Sequence, residues 1–525
     1  MGCSVLLLAS TVSSLGGLLF GYELGIISGG LLQLKAELRL TCIQQEALVS
    51  SLLIGALLSS LVGGGLIDRY GRRKSILLSN VLMLTGSLIL LISSYPTLLC
   101  GRFTVGVSMC LSSISCCIFV SELVTPERRG FLVTLYEAGI TVGILVAYTM
   151  NYILFDLQRG WKWMFGLAVV PALIQLFSIC FLPSNTGRGR IHSQADLITS
   201  TDAQEEGDCN KREEYDIMSL LQRKDNMRSR SIVGLGLVLF QQFTGQPSIL
   251  FYAPTIFQSA GFQSADSAVL ATVGIGLVKV VATLTSMVYS DRVGRRPLLI
   301  SGCCVMALCL ITIGLLSGRS LKDARGLCNK DHAIGNRTSP SVFPVGNHTL
   351  LNTPAVDDNK LQKTPKPVQL AKEPPSVGQK VANWIILTCM MAAVAAYSIG
   401  FGPMTWLLLS EIFPAPVRGR AFALTSCFNW SAHLLVAFTF LDVFNAVGLG
   451  GTFLMYGATS VVAAVFFYFL LPETKGKTLD EIDKELRMNR FHHHVECCAF
   501  IRPTPAHHRY QRVSRQRSSS ILEHR

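Results

Sequence analysis

Gly64-Gly65-Leu66-Ile67-Asp68-Arg69-Tyr70-Gly71-Arg72-Arg73-Lys74 ends one apolar block, 48–67, and leads into another, 75–99. One acid and four bases are crowded between two stretches that carry no charge. The pattern returns as Asp291-Arg292-Val293-Gly294-Arg295-Arg296, between apolar blocks at 267–289 and 297–317. A second pair recurs in the same order: Ser121-Glu122 with Arg129-Gly130, and Ser410-Glu411 with Arg418-Gly419, seven residues from Glu to Arg each time. The members of the second pair stand further apart than those of the first by about the length of the segment 318–381. The chain therefore reads as two homologous halves, the second holding one insertion.

Working outward, the same alternation fills the chain. Half of its 525 residues are apolar and only 15% charged, with mean hydropathy +0.43. A soluble protein of this size carries about 25% charged residues. A bilayer core asks for roughly 20 consecutive apolar residues per helix, and twelve spans are expected, at 5–30, 47–67, 75–96, 98–120, 131–154, 162–182, 231–257, 267–289, 297–317, 382–409, 420–442 and 450–471. The expectation is an all-α membrane protein of 6+6 pseudo-symmetric helices. It divides into an N-terminal half (1–182), a charged linker (183–230), a C-terminal half (231–471) with a polar loop at 318–381, and a tail (472–525). No removable signal peptide is expected, because the first apolar block has no small-residue cleavage site.

The net charge of +13 does not read as nucleic-acid binding, because the bases cluster at span ends. Bases gather on cytosolic loops, so the four motifs are expected on the cytosolic face together with both termini. The segment 318–381 then lies outside, and there Asn336-Arg337-Thr338 and Asn347-His348-Thr349 are glycosylation acceptors. The sixteen cysteines have neither metal spacing nor a disulfide framework. A Cys42–Cys328 bridge on the outer side is left open, as is palmitoylation of Cys497-Cys498. No cofactor, metal cluster or nucleophile–base set is expected, which excludes an enzyme. The two motif pairs are read as charge latches, in which Asp68, Arg72, Arg73, Glu122 and Arg129, and Asp291, Arg295, Arg296, Glu411 and Arg418, pair in one access state and release in the other.

These motifs resemble those of the major facilitator superfamily, in its sugar porter branch. The likeness continues through Gln241-Gln242-Phe243-Thr244-Gly245, Gly402-Pro403-Met404-Thr405-Trp406, Asn429-Trp430 and Pro472-Glu473-Thr474-Lys475-Gly476, and the long loop between spans nine and ten resembles class III facilitative glucose transporters. The resemblance implies the major facilitator fold, a sugar as substrate, the lipid bilayer as surroundings and a single chain as functional unit. It also implies that Gln241, Gln242 and Asn429 hydrogen-bond sugar hydroxyls and that Trp406 packs on the sugar near the inner gate. The chemistry agrees: primary amides both donate and accept, and an indole covers an apolar C–H face. Gln241, Gln242 and Asn429 also share a depth of roughly 14–17 Å from the motif-side span ends.

Departures from the family pattern are Pro247 and Lys279 where many members carry Asn, and Glu137 where many carry Gln. Glu137 and Lys279 thus join the substrate-site candidates, and the changes fit glucose or a close analogue such as the oxidised form of ascorbate. Charged residues inside apolar spans are functional or paired. Glu23 and Arg102 lie at similar depth and form either a proton relay, as in proton-coupled sugar porters, or a permanent ion pair. The reading is facilitative hexose transport by alternating access, at the plasma membrane or an endomembrane. A proton-coupled symporter using Glu23 and a non-transporting sugar sensor are the alternatives.

Overall fold

The computed structural model describes residues 3–123, 126–181, 226–262, 264–317, 377–414, 417–477 and 479–488. The expected linker and outer loop fall almost wholly outside these residues, and so do Asn336, Asn347, Cys328, Cys497 and Cys498. The side chains of Asp68, Arg72, Glu122, Arg129, Asp291 and Arg418 are also outside what is described.

The N-terminal half consists of α1 (Cys3–Leu38), α2 (Cys42–Tyr70), α3 (Arg72–Ile89), α4 (Tyr95–Leu123), α5 (Pro126–Ile153) and the pair α6 (Gly160–Gly166) and α7 (Val169–Cys180). The C-terminal half consists of the pair α8 (Met227–Phe243) and α9 (Gln246–Ala260), then α10 (Ala265–Val293), α11 (Arg295–Ser317), α12 (Val377–Ile412) and α13 (Arg418–Leu470), followed by a short α14 (Leu479–Met488). Eight helical stretches among the described residues are long and apolar enough to cross a bilayer. One of them, Ala421–Leu470, holds two crossings, because Gly448 (φ +74) breaks α13. With α3, α5 and the α8–α9 pair this makes six crossings in each half.

The exposed sides of these helices are apolar, as Phe177, Leu277, Leu308 and Val462 illustrate. In water such faces would aggregate. Against lipid they are the ordinary outer surface of a bundle. Between helices, the packing is close where glycine permits it. A Cβ on Gly21 would stand 1.9 Å from the Ile140 carbonyl oxygen, and one on Gly106 1.9 Å from that of Leu52. These two contacts bring α1 onto α5 and α4 onto α2.

Two span boundaries differ from expectation. The first helix does not stop near Gly30 but runs to Leu38. Its added turns are held by Gln33, whose amide donates to the Phe155 carbonyl (2.7 Å) and accepts from the Trp161 N–H (2.7 Å), and by Glu37, which accepts from the Trp161 indole (2.6 Å). The chain turns before Cys42, where Thr41 and Gln44 cap α2 reciprocally. The third helix ends at Ile89, and Pro96 falls in the first turn of α4, where its missing N–H costs nothing.

Across the halves, α2 packs on α13, α5 on α10 and α1 on α9. The first two seams are the same seam seen twice, since the internal repeat exchanges α2 with α10 and α5 with the first part of α13.

Candidate functional site

The site begins at a break. Gln241 and Gln242 are in the last turn of α8. Two residues later, Gly245 adopts φ +88, a conformation that L side chains rarely take, and a Cβ there would meet the Tyr456 ring at 2.4 Å. Pro247 then sits in the first turn of α9. The sequence Gln-Gln-Phe-Thr-Gly-Gln-Pro therefore cannot continue as one helix. It presents two amides where backbone direction changes, as transporters do at discontinuous helices near the midplane.

Gln242 Nε2 donates to Asn429 Oδ1 at 2.7 Å, tying α8 to α13. Gln241 Nε2 reaches the Phe401 carbonyl of α12 at 3.4 Å, and the Tyr397 hydroxyl lies beside the Gln241 side chain. All three amides are about 95% covered. The structure thus brings together three of the four residues that the resemblance implied for sugar hydroxyls and their packing. Trp406 stands apart. It lies on α12 five residues beyond Phe401 toward the motif face, packed at a tilt against Phe422 (5.3 Å, 36°) beside Leu409, Phe413 and Val417.

His433 was not singled out from the sequence, although it lies one turn beyond Asn429 on the same helix face. Its ring stacks on Trp430 (5.8 Å, 11°) and packs against Phe251 (5.5 Å), and Trp430 faces Phe20 of the other half (6.2 Å). Its Nε2 is buried and has no hydrogen-bond partner among the described residues. The i, i+4 spacing from Asn429 was the available signal.

Glu137 of α5 and Lys279 of α10 face one another across a seam between halves, and their charges interact. Among the described contacts they form no direct ion pair. Lys279 Nζ instead lies 5.3 Å from the Tyr397 ring centre. Both are half-buried, so each keeps accessible surface. Glu23 and Arg102 are fully buried and joined, Nη1 to Oε2 at 3.1 Å, and both terminal guanidinium nitrogens, Nη1 and Nη2, also donate to the Glu23 carbonyl at 3.2 Å.

At the motif face, Arg295 pairs with Glu411 (3.3 Å), linking the two repeated motifs of the C-terminal half. Arg73 Nη2 donates to the Cys180 carbonyl (2.8 Å) and Arg296 Nη2 to that of Tyr468 (2.6 Å). These two arginines are repeat equivalents, and each binds the end of the last helix of its own half. The carbonyls at a helix C-terminus lack intrahelical partners and favour a cation. Glu473, in Pro-Glu-Thr-Lys-Gly, caps the start of α11 through the Arg295 and Arg296 N–H groups (3.3 and 3.2 Å). Arg230 is buried and holds α14 through Asp483 (2.7 Å) while also donating to the Ile412 carbonyl. On the opposite face Cys42 is disulfide-bonded, its partner lying outside the described residues.

A twelve-helix bundle of two repeated halves, with buried amides at a broken helix, defines a membrane transporter. The chain belongs to the family described as Sugar (and other) transporter, whose model matches residues 9–328 and 368–486. It is 51% identical to solute carrier family 2, facilitated glucose transporter member 10 of Danio rerio, over 98% of this chain and 99% of that protein. It is 47% identical to the Homo sapiens protein of the same name, over 93% and 94%, and 39% identical to Homo sapiens facilitated glucose transporter member 12, over 92% and 86%. Among solved structures it resembles the D-xylose-proton symporter (TM-score 0.66, 25% identity, 90% of this chain and 100% of that one). The inward-open xylose transporter XylE from E. coli gives TM-score 0.63 over 90% and 98%. The fold class is thus the major facilitator fold, and the chain is a multi-pass membrane sugar transporter, not an enzyme.

Proposed function

We propose that the chain carries D-glucose, a closely related hexose or dehydroascorbate down its gradient by alternating access. The two halves, 1–182 and 231–471, rock about a site at the α8–α9 break. The observation that carries this reading is the Gln242–Asn429 pair beside Gln241 and the unpartnered His433 nitrogen. The amides can exchange their protein contacts for sugar hydroxyls, and the His433 nitrogen can take one directly. Trp406 forms the floor toward the motif face, and Glu137 and Lys279 face the substrate from the α5–α10 seam. The Glu23–Arg102 pair is read as a static tie between α1 and α4. A guanidinium that also holds the Glu23 carbonyl would stay buried and short of partners in a relay.

In this reading the motif face and both termini are cytosolic, and 318–381 is the glycosylated outer loop. The motifs latch the cytosolic ends, with Asp68, Arg72, Glu122 and Arg129 in one half and Asp291, Arg295, Glu411 and Arg418 in the other. A single chain is the functional unit. The deciding experiment is uptake into proteoliposomes holding purified protein. Glucose, galactose and dehydroascorbate are compared with and without a pH gradient. Equilibration with no effect of the gradient is expected; accumulation driven by acid outside would overturn uniport.

A further inference from the structure

We propose that Glu46 and Tyr148 are gating residues, which close the face opposite the motifs by completing backbone hydrogen bonds of the other half. The inference rests on the alternating-access reading above and names a device within it.

Two stretches of C-terminal-half helices bond to side chains of the other half, and in the first the helix ladder is broken. Pro254 has no N–H, so the Leu250 carbonyl four residues earlier has no helical donor. At the same place Tyr252 leaves helical geometry (φ −118, ψ 16). Tyr148 of α5, from the other half, donates its hydroxyl to that Leu250 carbonyl at 2.9 Å. The second is in α13. The Leu441 and Asp442 N–H groups point to Glu46 Oε1 of α2, at 2.7 and 3.2 Å. The Ala437 carbonyl, one turn before Leu441 on the same helix, accepts from the Tyr252 hydroxyl at 3.3 Å. Tyr252 also stacks on Phe440, at 4.8 Å and 25°.

Glu46 is 1% exposed, and Tyr148 and Tyr252 are as deeply covered. An acid at that depth with only backbone N–H partners on another helix is costly as core polarity and economical as a clasp. The clasp lies away from the motif face, at the start of α2, near the end of α5, at the Pro254 kink of α9 and just before the Gly448 break of α13. When the halves part there, the Leu250 carbonyl and two N–H groups of α13 lose their partners together. They must be rehydrated or find other partners, so opening is tied to a change around α9 and α13. Both helices carry site residues, Phe251 on α9 and Asn429 and His433 on α13. A substrate bound between them therefore bears on the same equilibrium.

The test uses bio-orthogonal spin labels at Ile43, at the start of α2, and Val447, beside the Gly448 break of α13, both exposed, in full-length protein in nanodiscs. In the parent chain the short-distance population is expected to dominate. Glu46→Ala and Tyr148→Phe should each add a longer population, raising the open fraction roughly tenfold, with Glu46→Gln intermediate because its amide oxygen still accepts. In proteoliposomes, entry and exit of D-glucose should show opposite shifts in half-saturation, tighter from the far face and weaker from the motif face. A merely structural residue would lower maximal rate without that asymmetry.

Folded Glu46→Gln and Tyr148→Phe proteins with the parent's distance distribution and symmetric half-saturations would overturn the proposal. A parent protein that moves no hexose would refute the hexose reading alone, and the distance measurement would still decide the clasp.

Discussion

Replacing Glu23 by glutamine separates a static tie from a proton relay. Arg102 is fully buried, and its partners are one Glu23 carboxylate oxygen at 3.1 Å and the Glu23 carbonyl at 3.2 Å, with the Phe165 ring 5.8 Å away. Glutamine preserves shape and can still accept one bond, but it strands a cation in a low-dielectric interior. Removing one member of a buried pair costs about 3–5 kcal/mol. The two carbonyl bonds survive, so the lower end, about 3 kcal/mol, is expected, or roughly two decades in the folded ratio. Thermal unfolding of purified protein in lipid should show a lowered midpoint. Adding Arg102→Leu to Glu23→Gln should recover part of it, since the stranded charge is gone. Sugar exchange and net uptake should fall in parallel. A Glu23→Gln protein with unchanged stability and exchange that has lost acid-driven accumulation would refute this account and establish proton coupling.

Three further outcomes are expected. Gln242→Ala removes the amide paired with Asn429 and one polar contact to substrate, worth about 1–3 kcal/mol; hexose half-saturation should rise roughly 5- to 150-fold with membrane insertion intact, and wild-type kinetics would remove Gln242 from the site. His433→Phe keeps the stack on Trp430 and deletes the unpartnered nitrogen; transport assays should give weaker hexose binding with little change in thermal stability, whereas a stability loss alone would make His433 a packing residue. Arg73→Ala and Arg296→Ala, being repeat equivalents on the ends of α7 and α13, should lower the unfolding midpoint by similar amounts, and a large effect of only one would show that the halves have diverged in this role.

The sequence by itself determined the architecture. Apolar blocks of bilayer length, basic turns between them and two motif pairs in register are local properties, and the bilayer leaves helices little alternative, because every backbone polar group must be satisfied within the segment. The amides of the site were legible for the same reason: Gln-Gln followed by Gly245 and Pro247 marks a helix that must break at a polar spot.

Only the tertiary structure decided which groups meet. Glu23 and Arg102 proved to be joined, whereas Glu137 and Lys279 face each other without touching, and equal depth could not tell these cases apart. His433, Arg230 and the capping role of Glu473 depend on neighbours more than 170 residues away, or on the absence of one. Glu46 looked like a residue of a polar connection, because the α1 extension and the turn at Thr41 shift the boundary of α2. Its partners are backbone N–H groups of α13, which have no sequence signature. A side chain that completes another helix's hydrogen bonds is visible only once both helices have been placed.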